Sequence, residues 1–198
     1  ALGIPRDRWV YLHGCSDTYD HWFISDRKNY YPSPAMRVAG EEALAMADCG
    51  LEDIGAFDIY SCFPSAVQLA CQELGLALDD PRGLTITGGL PYFGGPGNNY
   101  VTHSIAEMMD RVRAKPGMKG LVTSCGNYVT KEAVGIYSTD APEKPFAPKD
   151  PASYQAALNA DKGRVSIEAA NGAAKIETYT VMHDRTGPSY AIIMAVLE

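Results

Sequence analysis

Between Trp9 and Ser138, short apolar runs of strand length alternate with longer runs whose apolar residues return at helical spacing, and this alternation constrains the fold most. Trp9–Leu12 reads as a buried strand, followed by the polar and aromatic loop GCSDTYDHWFISDRKNYYPSP. Ala35–Gly50 keeps a helical period and stops at a glycine suited to a helix C-terminus. A second strand is expected around Phe57–Tyr60, a second helix from Pro64 to near Gly75, and a third strand at Leu84–Thr87. A third helix is expected over about Asn99–Ala114, ending at KPG. Strands at Gly120–Ser124 and Ala133–Ser138 are joined by too few residues for a crossover helix, so they must pair antiparallel. The order β-α-β-α-β-α-β-β implies an α/β fold, with a mixed, mainly parallel five-stranded sheet flanked by helices.

After Ser138 the pattern changes. TDAPEKPFAPKDPASYQ holds four prolines and several charges, so 141–162 reads as an extended linker between a domain at 1–140 and a small β unit at 163–198. In that unit GRVSIEAAN, AAKIETYTVMHD and SYAIIMAVLE alternate apolar and polar residues, which predicts three strands. The chain opens on ALGIPRDRWVYLHG without a Met and stops inside a strand pattern, so both ends read as cut from something longer.

A net charge of -7 and no basic stripe argue against nucleic acid as a partner. No run approaches the roughly 18 apolar residues of a membrane span, and no secretory pattern opens the chain, so a cytoplasmic location is expected. Cys15, Cys49, Cys62, Cys71 and Cys125 are odd in number and form no C-x-x-C pair, which predicts reduced thiols. His13, His21, His103 and His183 are too dispersed to suggest a metal cluster, and no metal is expected.

TGGLPYFGGPGNNYVTHSIAEMM packs seven Gly or Pro residues into eleven positions before turning helical. Such a run makes either a surface connection or a loop that brings backbone close to a ligand. It is not a Walker-type phosphate loop, because it carries no lysine. Cys125, in TSCGNY, ends a strand where an α/β sheet borders its ligand crevice; it is either a placed thiol or simple packing. Tyr60, Ser61 and Cys62, in DIYSCFPS, end another strand before a helix, with the same two readings. His103, one turn past the glycine loop and preceded by the cap candidates Asn98 and Asn99, is either a proton carrier or a helix histidine satisfied by a carbonyl. The other histidines read as structural.

Taken in order, these three loops resemble the C-terminal half of the thiolases, in the sterol-carrier-type branch described broadly as acetyl-CoA acetyltransferases. Thiolases carry G-G, four residues, then G-H-P; here Gly88 and Gly89 are followed by four residues and by Gly94, Gly95 and Pro96, so glycine stands where the family has histidine. The family's N-E-A-F loop, H-D-C-F in the sterol-carrier branch, falls on Tyr60–Phe63, of which Cys62 and Phe63 fit the second form. The late C-x-G loop falls on GLVTSCGN, where Cys125 and Gly126 fit and Asn127 replaces the last glycine.

The resemblance covers residues 8 to 140 and implies an acyl-CoA C-acyltransferase of lipid metabolism working by Claisen chemistry. Coenzyme A is then the substrate carrier, and no organic cofactor is required. It further implies that the acyl-accepting cysteine belongs to an N-terminal half outside this chain, and that the full-length protein is an oligomer. Cys125 is expected to move the substrate α-proton, with His103, Ser61 and Tyr60 as further catalytic candidates. Cys62, Phe63, Gly94, Gly95, Pro96, Asn98 and Gly126 are expected to line the thioester site. Glycine at 95 favours a second expectation, a thiolase-like module that binds acyl-CoA or a partner without catalysis. IETYTVMHDR resembles the start of an OB-fold-type extension.

Overall fold

The structure is a computed structural model that describes residues 3–95 and 97–198. Its main sheet has four strands, β1 (Tyr11–Tyr19), β2 (Ile54–Asp58), β3 (Lys119–Gly126) and β4 (Lys131–Ser138), in the order β1-β4-β3-β2. β2 and β3 pair parallel, whereas β4 pairs antiparallel with both β3 and β1. Three strands therefore share one direction and the last alone is reversed, as the short β3–β4 connection requires. The helices α1 (Pro34–Met46), α2 (Pro64–Leu74), the short α3 (Leu90–Phe93) and α4 (Tyr100–Ala114) fall where the helical periods predict, except α3, which forms inside the glycine loop.

The expected fifth strand at Leu84–Thr87 does not form. The segment touches the sheet through the Ile59 amide, which donates to the Leu84 carbonyl at 2.8 Å. The Ile86 and Thr87 amides turn instead to a side chain. The fully buried Asp58 carboxylate accepts from the Ile86 and Thr87 amides, the Thr85 and Ser104 hydroxyls and the Tyr100 phenol, at 2.9–3.3 Å. One carboxylate at the end of β2 thus takes over from a ladder and ties the glycine loop's entry to α4.

β1 is longer than the expected Trp9–Leu12 and runs through the polar letters GCSDTY. Gly14, Ser16 and Thr18 form its buried face, where the Ser16 and Thr18 hydroxyls donate to the α1 carbonyls of Ala39 and Ala35 at 2.5 and 2.7 Å. At Gly14 a Cβ would collide with the Ala43 carbonyl. Small and hydroxylated residues are what so close a helix needs, and they disguise a strand as a loop. α1 answers with its own small face of Ala35, Ala39, Gly40 and Ala43, and the core between them is completed by Phe57, Ile59, Leu121, Val134 and Ile136. Met108 and Val112 of α4 cover the other face against Ala56 and Val122.

The stretch 141–162, expected as an extended linker, contains a helix, α5 (Pro151–Asn159), opened by the Asp150 side chain and Pro151. Gln155 of α5 donates to the Tyr19 carbonyl and accepts from the Tyr19 amide, at 2.8 and 2.9 Å, and so pairs with the edge of β1. Of the three expected C-terminal strands, two form, β5 (Ala174–Asp184) and β6 (Gly187–Leu197), a two-stranded antiparallel sheet. GRVSIEAAN forms no strand; near its start the Arg164 amide donates to the Asp26 carbonyl. Arg164 also pairs with Glu177 of β5 and donates to the Lys28 carbonyl at 2.7 Å. A two-stranded hairpin is all that the OB-type resemblance meets among the described residues. No described helix is long and apolar enough to cross a membrane.

Replacing Asp58 by Asn keeps the shape but removes the charge from a site surrounded by donors. Asp58→Asn is expected to lower the unfolding free energy by about 3–5 kcal/mol in urea titrations. A loss below about 1 kcal/mol would show that the loop and α4 do not depend on this carboxylate.

Candidate active site

Because β2 and β3 are parallel and pair Asp58 with Val122, the residues just beyond them reach the same rim of the sheet. The Tyr60 amide continues the register by donating to the Thr123 hydroxyl at 2.9 Å. Cys62, in the turn into α2, and Cys125, next to last in β3, then meet with their sulfurs 3.9 Å apart. Each cysteine borders a different cavity. One, of about 520 Å³, is mainly apolar and bordered by Cys62, Ile59, Val67, Leu84, Leu90 and the Gly88–Gly89 turn. The other, of about 310 Å³, is lined by Cys125, Glu132, Tyr60, Asn98, Gly126 and Lys131.

The remaining candidates divide. The Ser61 hydroxyl accepts from the Leu90 amide at 3.0 Å and fills the space below Gly89, where an added Cβ would lie 2.6 Å from its oxygen. Ser61 therefore holds the glycine loop down, and Gly89, at φ 81°, provides the approach no other residue could make. Tyr60 packs edge-on against Tyr100 with ring centroids 5.2 Å apart. Asn98 and Gly126 border the same cavity as Cys125. Phe63 precedes α2 as its N-cap residue with its side chain half-exposed. His103 faces Asn99 at 3.4 Å and the Phe93 ring at 5.6 Å, and it borders neither cavity. Gly94 and Gly95 are exposed and also border neither; Pro96 lies outside the described residues.

The two thiols differ in charge preference. A hydrogen bond from the Cys125 thiol, helped by backbone amides at Cys62 and Phe63 and opposed by burial, brings Cys62 down to about 7. Cys125 is pushed strongly up, first because it donates that bond, then by burial and by the Glu132 carboxyl. Of the two, Cys62 is the thiol that gives up its proton more readily and Cys125 the one that keeps it, and a Cys62 thiolate would accept its hydrogen bond from the Cys125 thiol.

Glu132, Arg27 and Asp20 were not among the sequence candidates. Glu132 lies directly opposite Cys125 across β3 and β4, is 2% exposed, and has no hydrogen-bond donor on either carboxyl oxygen. Burial pushes it up to about 8, against the lowering influence of the neighbouring Cys125 thiol. Arg27, also buried, donates to the Val129 carbonyl and the Thr130 hydroxyl at 3.1 and 2.8 Å and so pins the β3–β4 turn, where Val129 sits at φ 55°. That conformation is strained for a β-branched residue and is kept by its surroundings. Asp20 accepts from Ser33 and the Ala35 amide at the start of α1, and burial raises it. A signal for Glu132 existed: in KEAVGIYS it shares the inward parity of Val134 and Ile136.

Two outcomes test this electrostatic reading. Alkylation of Cys62 by iodoacetamide is expected to rise with a midpoint near 7, and Cys125→Ala should move that midpoint up by removing the donor; an unmoved midpoint would break the pairing. The folded chain holds the Glu132 proton up to about 8 against an ordinary 4.5, so this contribution to stability is complete below 4.5 and is lost as pH rises through 8. Glu132→Gln should therefore remove a fall of up to about 1.4 kcal/mol per pH unit from urea titrations across that window. Parallel curves for the two proteins would assign Glu132 an ordinary ionisation.

No family model and no curated protein matches the sequence. Among solved structures, the chain is similar to a monomeric SCP2-thiolase-like protein type 1 from Mycobacterium smegmatis, at 45% identity and a TM-score of 0.92, over 99% of this chain and 43% of that one. The chain thus spans less than half the length of that relative. Two Saccharomyces cerevisiae structures are more distant: a peroxisomal 3-ketoacyl-CoA thiolase (17% identity, TM-score 0.49, 66% of this chain and 34% of that one) and a dimeric peroxisomal thiolase (20%, 0.46, 65% and 30%). With its strand order, its reversed last strand and its rim of converging loops, the chain has a thiolase-like fold.

Proposed function

We propose that this chain forms the acid–base side of an acyl-CoA C-acyltransferase site. The observation that carries the reading is the contact of two sulfurs, 63 residues apart in the chain, under a glycine loop at one sheet rim. Claisen chemistry needs an α-proton removed beside a thioester and returned later in the other direction. Cys62 and Cys125 divide those duties. Cys62 supplies the negative charge near neutral pH, and Cys125 starts as the proton donor. The apolar cavity beside Cys62 accommodates the acyl part, and the polar cavity on the Cys125 side receives water or the thioester oxygen. In this reading the acyl-accepting nucleophile comes from chain beyond these residues, and coenzyme A is the carrier rather than a resident cofactor.

A second reading rests on one observation, Gly95 at the position where the resemblance expects histidine. Without that base, the same rim would bind an acyl-CoA and hold it without turnover. The two readings part on one variant of the full-length protein. If the site is catalytic, Cys125→Ala lowers acyl-CoA acyltransferase turnover by about 10²–10⁴-fold while CoA affinity stays within about twofold. A full-length protein that binds acyl-CoA but never turns it over selects the binding module, and a rate unchanged by the variant removes Cys125 from the chemistry.

A further inference from the structure

Glu132 is the one fully buried acid in the described sheet with neither carboxyl oxygen paired, and it faces Cys125 across a strand pair. An unpartnered buried carboxyl costs stability, and Gln, Met or Leu would fill the position more cheaply. Both residues border the 310 Å³ cavity, so both reach the same small volume. We propose that Glu132 is the proton reservoir behind Cys125, supplying the proton that Cys125 hands to substrate and taking it back when the reaction runs the other way.

This inference deepens the acyl-transfer reading of the Cys62–Cys125 pair and rests on it. In the protonating direction the Cys125 S–H bond breaks, its proton forms a C–H bond at the carbanionic α-carbon, and the S–H electron pair stays on sulfur. The Glu132 O–H then breaks, its proton goes to that sulfur, and the charge comes to rest on the carboxylate. In the opposite direction the Cys125 S–H proton first passes to the Glu132 carboxylate and leaves its electron pair on sulfur, and the substrate α-proton then passes to that sulfur while the C–H electron pair stays on carbon. Neither direction needs an oxidant, a reductant or a metal ion.

The surroundings suit a group that changes charge. Arg27 lies near enough to act on Glu132 electrostatically, but its guanidinium donates to the His21 and Val129 carbonyls and the Thr130 hydroxyl, so it offers a positive field without a fixed ion pair. Asp20, beyond the end of β1, and the Cys62 thiolate oppose ionisation. Asp17 of β1, Lys131 of β4 and Tyr60 line the cavity itself. From α1 the buried face is Ala35, Met36, Ala39, Gly40 and Ala43, which brings no titratable group; from α4 the one buried phenol, Tyr100, is committed to Asp58. Acting through Cys125, Glu132 is a positioning residue.

The test compares wild-type full-length protein with Glu132→Gln, and with Glu132→Met should the first fail to fold, by two readouts. The first is the pH dependence of Cys125 alkylation by iodoacetamide, read by peptide mass mapping, which needs no turnover. The second is the exchange of acetyl-CoA α-protons with deuterated water. Removal of the ionisable carboxyl should bring Cys125 alkylation in at lower pH and slow α-proton exchange by about tenfold or more, with no loss of melting temperature. Identical alkylation profiles in wild type and variant overturn the proposal, as does an altered profile with an unchanged exchange rate. If the alkylation profile moves while the wild-type protein exchanges no α-proton, the Glu132–Cys125 coupling stands and the acyl-transfer reading falls instead.

Discussion

A single carboxylate, Asp58, organises the rim on which the site is built. It closes β2, and its five donors come from the segment that precedes the glycine loop and from the first turns of α4. A strand ladder at Leu84–Thr87 would have fixed the same segment flat against β2. The charge instead gathers three consecutive residues around one point, which turns the chain out of the sheet and releases Gly88 and Gly89 to fold back over Ser61. Buried donors and acceptor satisfy one another, so the arrangement is rigid as well as dry.

From that rim the sulfur pair inherits its asymmetry. Cys62 stands in the turn before a helix with amides directed to it, whereas Cys125 stands in the sheet with a carboxyl opposite. One environment favours the charged form and the other disfavours it, so identical side chains acquire opposite roles from position alone. The strained turn at Val129, pinned by Arg27, keeps the strand carrying Glu132 in register with the strand carrying Cys125.

Much of this was legible in the letters, and the departures have physical causes. Helices α1, α2 and α4 and the antiparallel β3–β4 pair follow from periodicity and from the length of one connection. Cys62, Cys125, Asn98 and Gly126 could be grouped before any coordinates, since strand ends and a glycine loop converge in such folds. β1 escaped because Gly14, Ser16 and Thr18 serve a helix packed almost on the backbone, a demand that looks like loop composition. Leu84–Thr87 misled in the other direction, being apolar and β-branched yet claimed by a side chain. α5 was hidden by the prolines around it, one of which opens the helix. Glu132 went unread because a charged residue inside an alternating strand is ordinarily assigned to solvent, and only the pairing partner reveals what it faces.

The hairpin of β5 and β6 has a different character from the rest. Ile176, Tyr179, Tyr190, Ile192 and Ile193 remain open to water, and the ribbon touches the α/β layers chiefly through Arg164, Tyr30 and Glu177. Both of its strands are outermost, so each carries a free row of backbone donors and acceptors beside apolar side chains.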